Sequence, residues 1–167
     1  MKKIIIYHGS EKIIKKPLLS LGKINNDYGQ GFYCTEDIEL AKEWACKHFN
    51  DGFANKYELD VSNLNILNLN DIDNNVMTWI AILIKNRKFD KSPQQKTMSE
   101  LIIKYFDIDL SKYDIVIGYR ADDSYFSYAQ KFLENSLSSE NLERSLKFGM
   151  LGSQIVLISE KAFENLK

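Results

Sequence analysis

The stretch Tyr113-Asp114-Ile115-Val116-Ile117-Gly118-Tyr119 constrains the fold of this 167-residue chain more than any other. After Asp114 its β-branched and aromatic side chains run without polar interruption, as in a strand buried on both faces, and the polar Arg120-Ala121-Asp122-Asp123 segment ends it. A strand of that kind needs partners. Ile4-Ile5-Ile6-Tyr7 reads as a first strand, with His8 at its terminus because Gly9 follows. Gly29-Gln30-Gly31 permits close backbone approach ahead of the aromatic segment Phe32-Tyr33-Cys34. Residues 57–61 and 64–69 alternate with period two on either side of Ser62-Asn63, and Gln154-Ile155-Val156-Leu157-Ile158 is the last strand.

Helices lie between these runs. Thr35 is an N-cap candidate for a helix over about 36–48, with Glu36 and Asp37 in its first turn and Ile38, Ala41 and Ala45 as an apolar stripe. Val76, Trp79, Ile80, Leu83 and Ile84 recur on one helical face. Ser92-Pro93-Gln94-Gln95 combines a capping Ser, Pro at the first helical position and Gln three residues after the cap, ahead of Met98, Leu101, Ile102 and Tyr105. Further helices are predicted from 128 to 133, from about 140 to 148, and from a Ser159 cap to near Leu166. No repeat, low-complexity block or Pro/Gly/Ser linker divides the sequence, so residues 1–167 are expected to form one α+β domain.

Charge and composition exclude more than they identify. With 22 Lys and Arg against 23 Asp and Glu, the net charge is −1, which gives no broad footprint for nucleic acid or anionic lipid, although a local basic groove fits within a balanced total. The 44% hydrophobic and 27% charged fractions are those of a soluble globular chain. No apolar run reaches the roughly 18 to 20 residues that span a bilayer. The opening apolar run stops at His8-Gly9-Ser10 with no small-residue cleavage site after it, so a strand is expected there, not a signal peptide. Two cysteines, Cys34 and Cys46, are too few for a disulfide framework, and a reducing, cytoplasmic setting is expected.

Several nominal sites fail on geometry. Cys46 and His48 would point about 200° apart on a helix, and no second ligand pair accompanies them, so no metal is expected. Cys34 and Cys46 lack an activating neighbour in sequence and read as small apolar side chains. Glu140 and Glu143 read as a solvated helix face. Gly29-Gln30-Gly31 lacks the third glycine and the strand-before, helix-after setting of a dinucleotide fingerprint.

What remains is an ordered set: Tyr7-His8-Gly9-Ser10, then Gly31-Phe32-Tyr33-Cys34-Thr35, then Trp44, then Gln154 at the head of the final strand. This set resembles the ADP-ribosyltransferase superfamily, in its diphtheria-toxin-like and poly(ADP-ribose)-polymerase-like branch with a His-Tyr-Glu signature. It is most similar to a bacterial family of unknown function in that superfamily. The resemblance covers both ends of the chain, while residues 70–110 add little to it. It implies a split, strongly bent β-sheet with flanking helices and an NAD cleft between its halves. It also implies that His8 bonds a ribose hydroxyl, that the backbone of Gly9 pairs with the nicotinamide carboxamide beside Ser10, and that Tyr33 and Trp44 stack on the nicotinamide. A flat pyridinium is well held between aromatic faces, so the assignment is chemically coherent.

The catalytic set implied by the resemblance is His8, Tyr33 and Gln154. Gln154 stands where relatives carry a Glu; an amide brings neither negative charge nor basicity to a ribose that becomes cationic as nicotinamide leaves. Three outcomes stay open: a transferase using substrate assistance or a carboxylate from elsewhere, such as Asp122 or Asp123; a slow NAD glycohydrolase; or an NAD-binding interaction module. RNA 2′-phosphotransfer would want a second motif histidine where Tyr33 stands. Gly152 occupies the place where arginine-modifying relatives carry a Glu, which disfavours an arginine acceptor. The expected function is NAD-dependent mono-ADP-ribosyl transfer to a protein or nucleic acid acceptor. By resemblance it is that of a bacterial toxin of a toxin–antitoxin or defence module, or of an effector, with a small antitoxin protein as partner and no membrane association.

Overall fold

Among the described residues, the strands are β1 (Lys3–Ser10), β2 (Phe32–Cys34), β3 (Phe53–Asp60), β4 (Ile66–Asn68), β5 (Ile115–Tyr119) and β6 (Ser153–Leu157). The helices are α1 (Ile38–Ala45), α2 (Asn75–Asn86), α3 (Pro93–Phe106), α4 (Asp123–Leu133), α5 (Ser139–Phe148) and α6 (Glu160–Glu164). These come from a computed structural model that describes residues 2–46, 51–73, 75–121, 123–148 and 152–167, with the backbone alone for 123–125 and 147–148. The fold is α+β. His48 and Asp122 lie outside the described residues, as does the side chain of Asp123.

The strands sort into two sheets. β1 and β3 form an antiparallel pair, and the other four run in the order β2-β6-β5-β4. Only β4 and β5 are parallel. Among the described residues the sheets meet at a bridge between Tyr7 and Thr35, whose two backbone hydrogen bonds measure 2.7 and 2.9 Å. β5 is covered on both faces, as its apolar run predicts. Val116 joins a core with Val156, Trp79, Ile80, Leu83 and Leu133, beneath α2 to α5. Ile115 joins a second core with Ile6, Phe32, Leu59 and Leu157, between the two sheets and α6.

Three local expectations change. β1 does not end at His8 but continues through Gly9 to Ser10, because Phe53 and Ala54 at the start of β3 extend the ladder opposite them. Asp37, not Thr35, caps α1: its carboxylate accepts the Glu39 and Leu40 N–H groups at 2.8 and 3.4 Å, while Thr35 Oγ1 accepts the Asp37 N–H. The two runs flanking Ser62-Asn63 form strands as read, and they enter different sheets, β3 beside β1 and β4 beside β5. α6 stops at Glu164, and Leu166 instead bridges to Leu59. The Ser92 capping box of α3 forms as read, with reciprocal Ser92 and Gln95 bonds of 3.2 and 2.9 Å.

Candidate functional site

A cleft of about 580 Å³ opens where the two sheets meet, a volume within the range of small-ligand and cofactor pockets. β1 supplies His8 and Gly9, β2 supplies Tyr33, α1 supplies Trp44 and β6 supplies Gln154. The motif residues scattered over the sequence therefore share one concavity. Ser10 does not line it: its hydroxyl donates to the Lys12 carbonyl at 2.6 Å and accepts from Asn55 Nδ2 at 2.9 Å, so it shapes the chain beyond β1.

The tautomer of His8 follows from its partner. Nδ1 lies 2.7 Å from the Tyr33 carbonyl oxygen, which can only accept, so Nδ1 carries the proton and Nε2 is the acceptor of the neutral ring. Phe32 stacks on that ring at 4.3 Å and holds its plane. Gly9 is where it is because α1 crosses β1 closely; a Cβ there would sit 2.1 Å from the Ala41 carbonyl oxygen. Its backbone orientation follows from the strand period. Tyr7 gives its N–H and C=O to Thr35, so Gly9, two residues on, directs its own pair to that same edge and not toward β3. That edge borders the cleft, where a planar amide can meet both groups.

Tyr33 offers its ring and not its proton. Its hydroxyl donates to the Gly29 carbonyl at 2.7 Å and accepts the Tyr28 N–H at 3.0 Å, and burial pushes its pKa well above the usual phenol value, so it holds its proton. It therefore serves as a surface, not as an acid or base. Trp44 has the Arg120 guanidinium near its ring, 5.5 Å from the centroid, and both side chains line the cleft.

Gln154 is buried and committed. Nε2 donates to Asp27 Oδ2 and to the Tyr119 carbonyl, both at 3.1 Å, and these are the two hydrogens it has. The same Tyr119 carbonyl also receives the Tyr28 hydroxyl at 2.8 Å and Trp79 Nε1 at 3.1 Å. Gly152, two residues before Gln154, has φ 71°, a conformation that strains any larger residue.

A family model described as a protein of unknown function, DUF3990, matches residues 4–167. The chain belongs to that family. No curated protein and no solved structure matches it. The matched span takes in every lining residue of the cleft, including several that sequence reasoning passed over.

Those overlooked residues carry the charge of the site. Lys23, Arg87 and Arg120 set three cations against one lining carboxylate, Asp27, so the cleft is electropositive within a nearly neutral chain. Arg87 lies over Phe126, 4.5 Å from the ring centroid, with Nε 3.5 Å from Asp27 Oδ1. Arg120 reaches Glu43 at 3.3 Å with Nη2, while its buried Nη1 has no hydrogen-bond partner among the described residues. Burial pushes the Asp27 carboxyl above its ordinary value, against the pull of the Ala121 N–H, Arg87, Gln154 and Arg120. Asp27 sits in a turn closed by the Gly29 N–H on the Asn26 carbonyl at 2.9 Å, and only the Asn-Asp-Tyr-Gly turn chemistry marked it in sequence.

The cysteines behave as small apolar groups or as surface. Cys34 is buried, with its thiol pushed well above the usual range by burial, and Cys46 is exposed at the end of α1. Among the described residues no three His, Cys, Asp or Glu side chains gather as a metal site, and no helix is long and apolar enough to cross a membrane.

Proposed function

We propose that this cleft binds NAD and transfers its ADP-ribose to a macromolecular acceptor, releasing nicotinamide. The observation that carries the reading is the meeting of His8, Gly9, Tyr33, Trp44 and Gln154 in one electropositive cleft between two sheets, although they span most of the sequence. The α+β architecture, with a cleft where its two sheets meet, supports the reading. The residues divide NAD between them. A ribose hydroxyl donates to Nε2 of His8, the nicotinamide carboxamide pairs with the N–H and C=O of Gly9, and the pyridinium lies on Tyr33 with Trp44 beside it. Arg87, Arg120 and Lys23 suit the diphosphate.

The C1′–N1 bond of the nicotinamide riboside breaks, and its electron pair leaves with nicotinamide, which becomes neutral. The ribose passes through an oxocarbenium-like transition state that the acceptor nucleophile attacks at C1′, its proton passing to solvent. A role as a bacterial toxin of a toxin–antitoxin or defence module, or as a delivered effector, rests on the resemblance alone; a small neutralising protein would then be its partner. A second reading has its own support. With both amide hydrogens of Gln154 committed and no carboxylate at that position, slow NAD hydrolysis or NAD binding alone also fits.

Adenylate-labelled NAD incubated with the protein and bacterial lysate separates these readings. Label on protein or nucleic acid that disappears with His8→Ala supports transfer, and free ADP-ribose supports hydrolysis. Tight NAD binding without turnover in any lysate overturns the transferase reading.

A further inference from the structure

We propose that Asp27 is the carboxylate that stabilises the cationic ribose in this cleft, and that Gln154 is the amide that positions it. The assignment rests on the NAD reading above and adds to it the charge that Gln154 cannot supply.

The geometry explains why position 154 holds an amide. Asp27 Oδ2 accepts the Ala121 N–H at 3.0 Å and Gln154 Nε2 at 3.1 Å, so the carboxylate is clamped from two strand ends. Turning the Gln154 amide over would set its oxygen against that carboxylate and against the Tyr119 carbonyl, two acceptors with nothing to accept. A Glu at 154 would do the same with a second negative charge. Where Asp27 is present, residue 154 must donate, and the acid and the amide have exchanged places relative to a cleft with Glu on its last strand.

The two N–H donors on Oδ2 do not themselves require a negative charge, although the Arg87 guanidinium beside Oδ1 balances it. The Ala121 and Gln154 N–H groups would be satisfied by the neutral oxygen of an Asn, whereas a buried carboxylate carries a desolvation cost. What the charge changes is the field of the cleft. Lys23, Arg87 and Arg120 favour an anion, and without Asp27 they would oppose positive charge growing on the ribose. With it, the cleft offers cations to a diphosphate and one carboxylate to an oxocarbenium centre, matching the two ends of the same ligand. Both oxygens are held before substrate arrives: Oδ2 by the two N–H donors, Oδ1 beside Arg87 Nε at 3.5 Å.

The test uses the full chain as wild type, Asp27→Asn, Gln154→Glu and the double variant that swaps the two. Nicotinamide release from NAD should fall about 100- to 1,000-fold in Asp27→Asn, the scale of losing one preorganised electrostatic partner, with the Kd for NAD changed only a few-fold. Gln154→Glu should also lose rate, and the swap should recover at least about tenfold over Asp27→Asn, because the carboxylate returns opposite a donor. Melting temperatures report the pair without NAD: Gln154→Glu should destabilise the wild type and do so far less on the Asp27→Asn background. Release at the wild-type rate by Asp27→Asn, or strictly additive melting shifts, overturns the assignment. A wild-type protein that neither binds nor cleaves NAD overturns the NAD reading and the reaction given to Asp27 with it, while the melting cycle still decides whether the pair exists.

Discussion

At Tyr33 one hydroxyl joins the turn that carries Asp27 to the strand that carries the aromatic wall of the cleft. Tyr33→Phe keeps the ring and removes both bonds, leaving the Tyr28 N–H and the Gly29 carbonyl without that partner. The expected cost is about 1 to 3 kcal/mol in urea unfolding, with nicotinamide release lowered more than NAD affinity because the turn loosens while the stacking face stays. Unchanged stability would mean that the turn is held by something else. His8, Gly9, Tyr33, Trp44 and Gln154 were legible in the sequence as an ordered motif, and each lines the cleft. Asp27 was not legible, since it lies in a polar loop where Asn and Asp are ordinary turn formers, and only the long-range bonds from Ala121 and Gln154 distinguish it. Ser10 read as part of the site because it adjoins Gly9, yet its side chain is taken by Lys12 and Asn55.

Elements position these residues by close crossings and by caps. α1 lies so near β1 that Gly9→Ala should disrupt the packing outright: the new methyl would meet the Ala41 carbonyl oxygen at 2.1 Å and the Ala45 nitrogen at 2.8 Å. A loss of several kcal/mol, or failure to fold, is expected in thermal melts; overpacking in well-packed regions commonly costs about 1 to 3 kcal/mol, and here the obstacle is backbone. A normally stable Gly9→Ala protein would contradict the crossing. Asp114, at the foot of β5, ties three elements together. It accepts the Asn65 N–H ahead of β4 at 2.8 Å, the hydroxyl of Ser159 that caps α6 at 2.6 Å, and Lys161 Nζ at 3.4 Å. Burial works against its charge, but these donors outweigh it, so the folded carboxyl lies below its ordinary value. The stability it contributes is therefore present above the unfolded value, near about 4, and fades as pH falls through the lower folded value. Asp114→Asn should cost about 1 to 3 kcal/mol at pH 7, and the gap to the wild type in melting temperature should narrow progressively as the pH falls below the unfolded value. A gap that stays the same size into acid would show that the ionised form is not what matters.

For the whole molecule, periodicity located most elements but not their partners. β2 pairs with β6, and β4 runs parallel to β5, from distant parts of the sequence; no local pattern encodes such pairings, because they are set by which apolar faces the two cores can share. The two strands flanking Ser62-Asn63 are an instance, since each finds its partner in a separate sheet. The same topology makes the cleft a joint between sheets that meet, among the described residues, at the Tyr7–Thr35 bridge. A ligand that touches His8 and Gly9 on one side and Tyr33 and Arg120 on the other should hold that joint closed, so binding and global stability are linked. At NAD concentrations near 100 times its Kd, stabilisation should reach about 2.7 kcal/mol, which for a chain of this length corresponds to a rise in Tm of about 5 to 10 °C. Nicotinamide alone and ADP-ribose alone should each give a smaller rise, since each leaves one part of the cleft unfilled. His8→Ala should reduce the NAD and the ADP-ribose shifts alike, because both ligands carry the ribose hydroxyl that meets Nε2, and abolish neither, because the diphosphate still meets Arg87 and Arg120. Equal shifts for NAD and ADP-ribose would remove the nicotinamide from the aromatic wall, and no shift with millimolar NAD would remove NAD from the cleft.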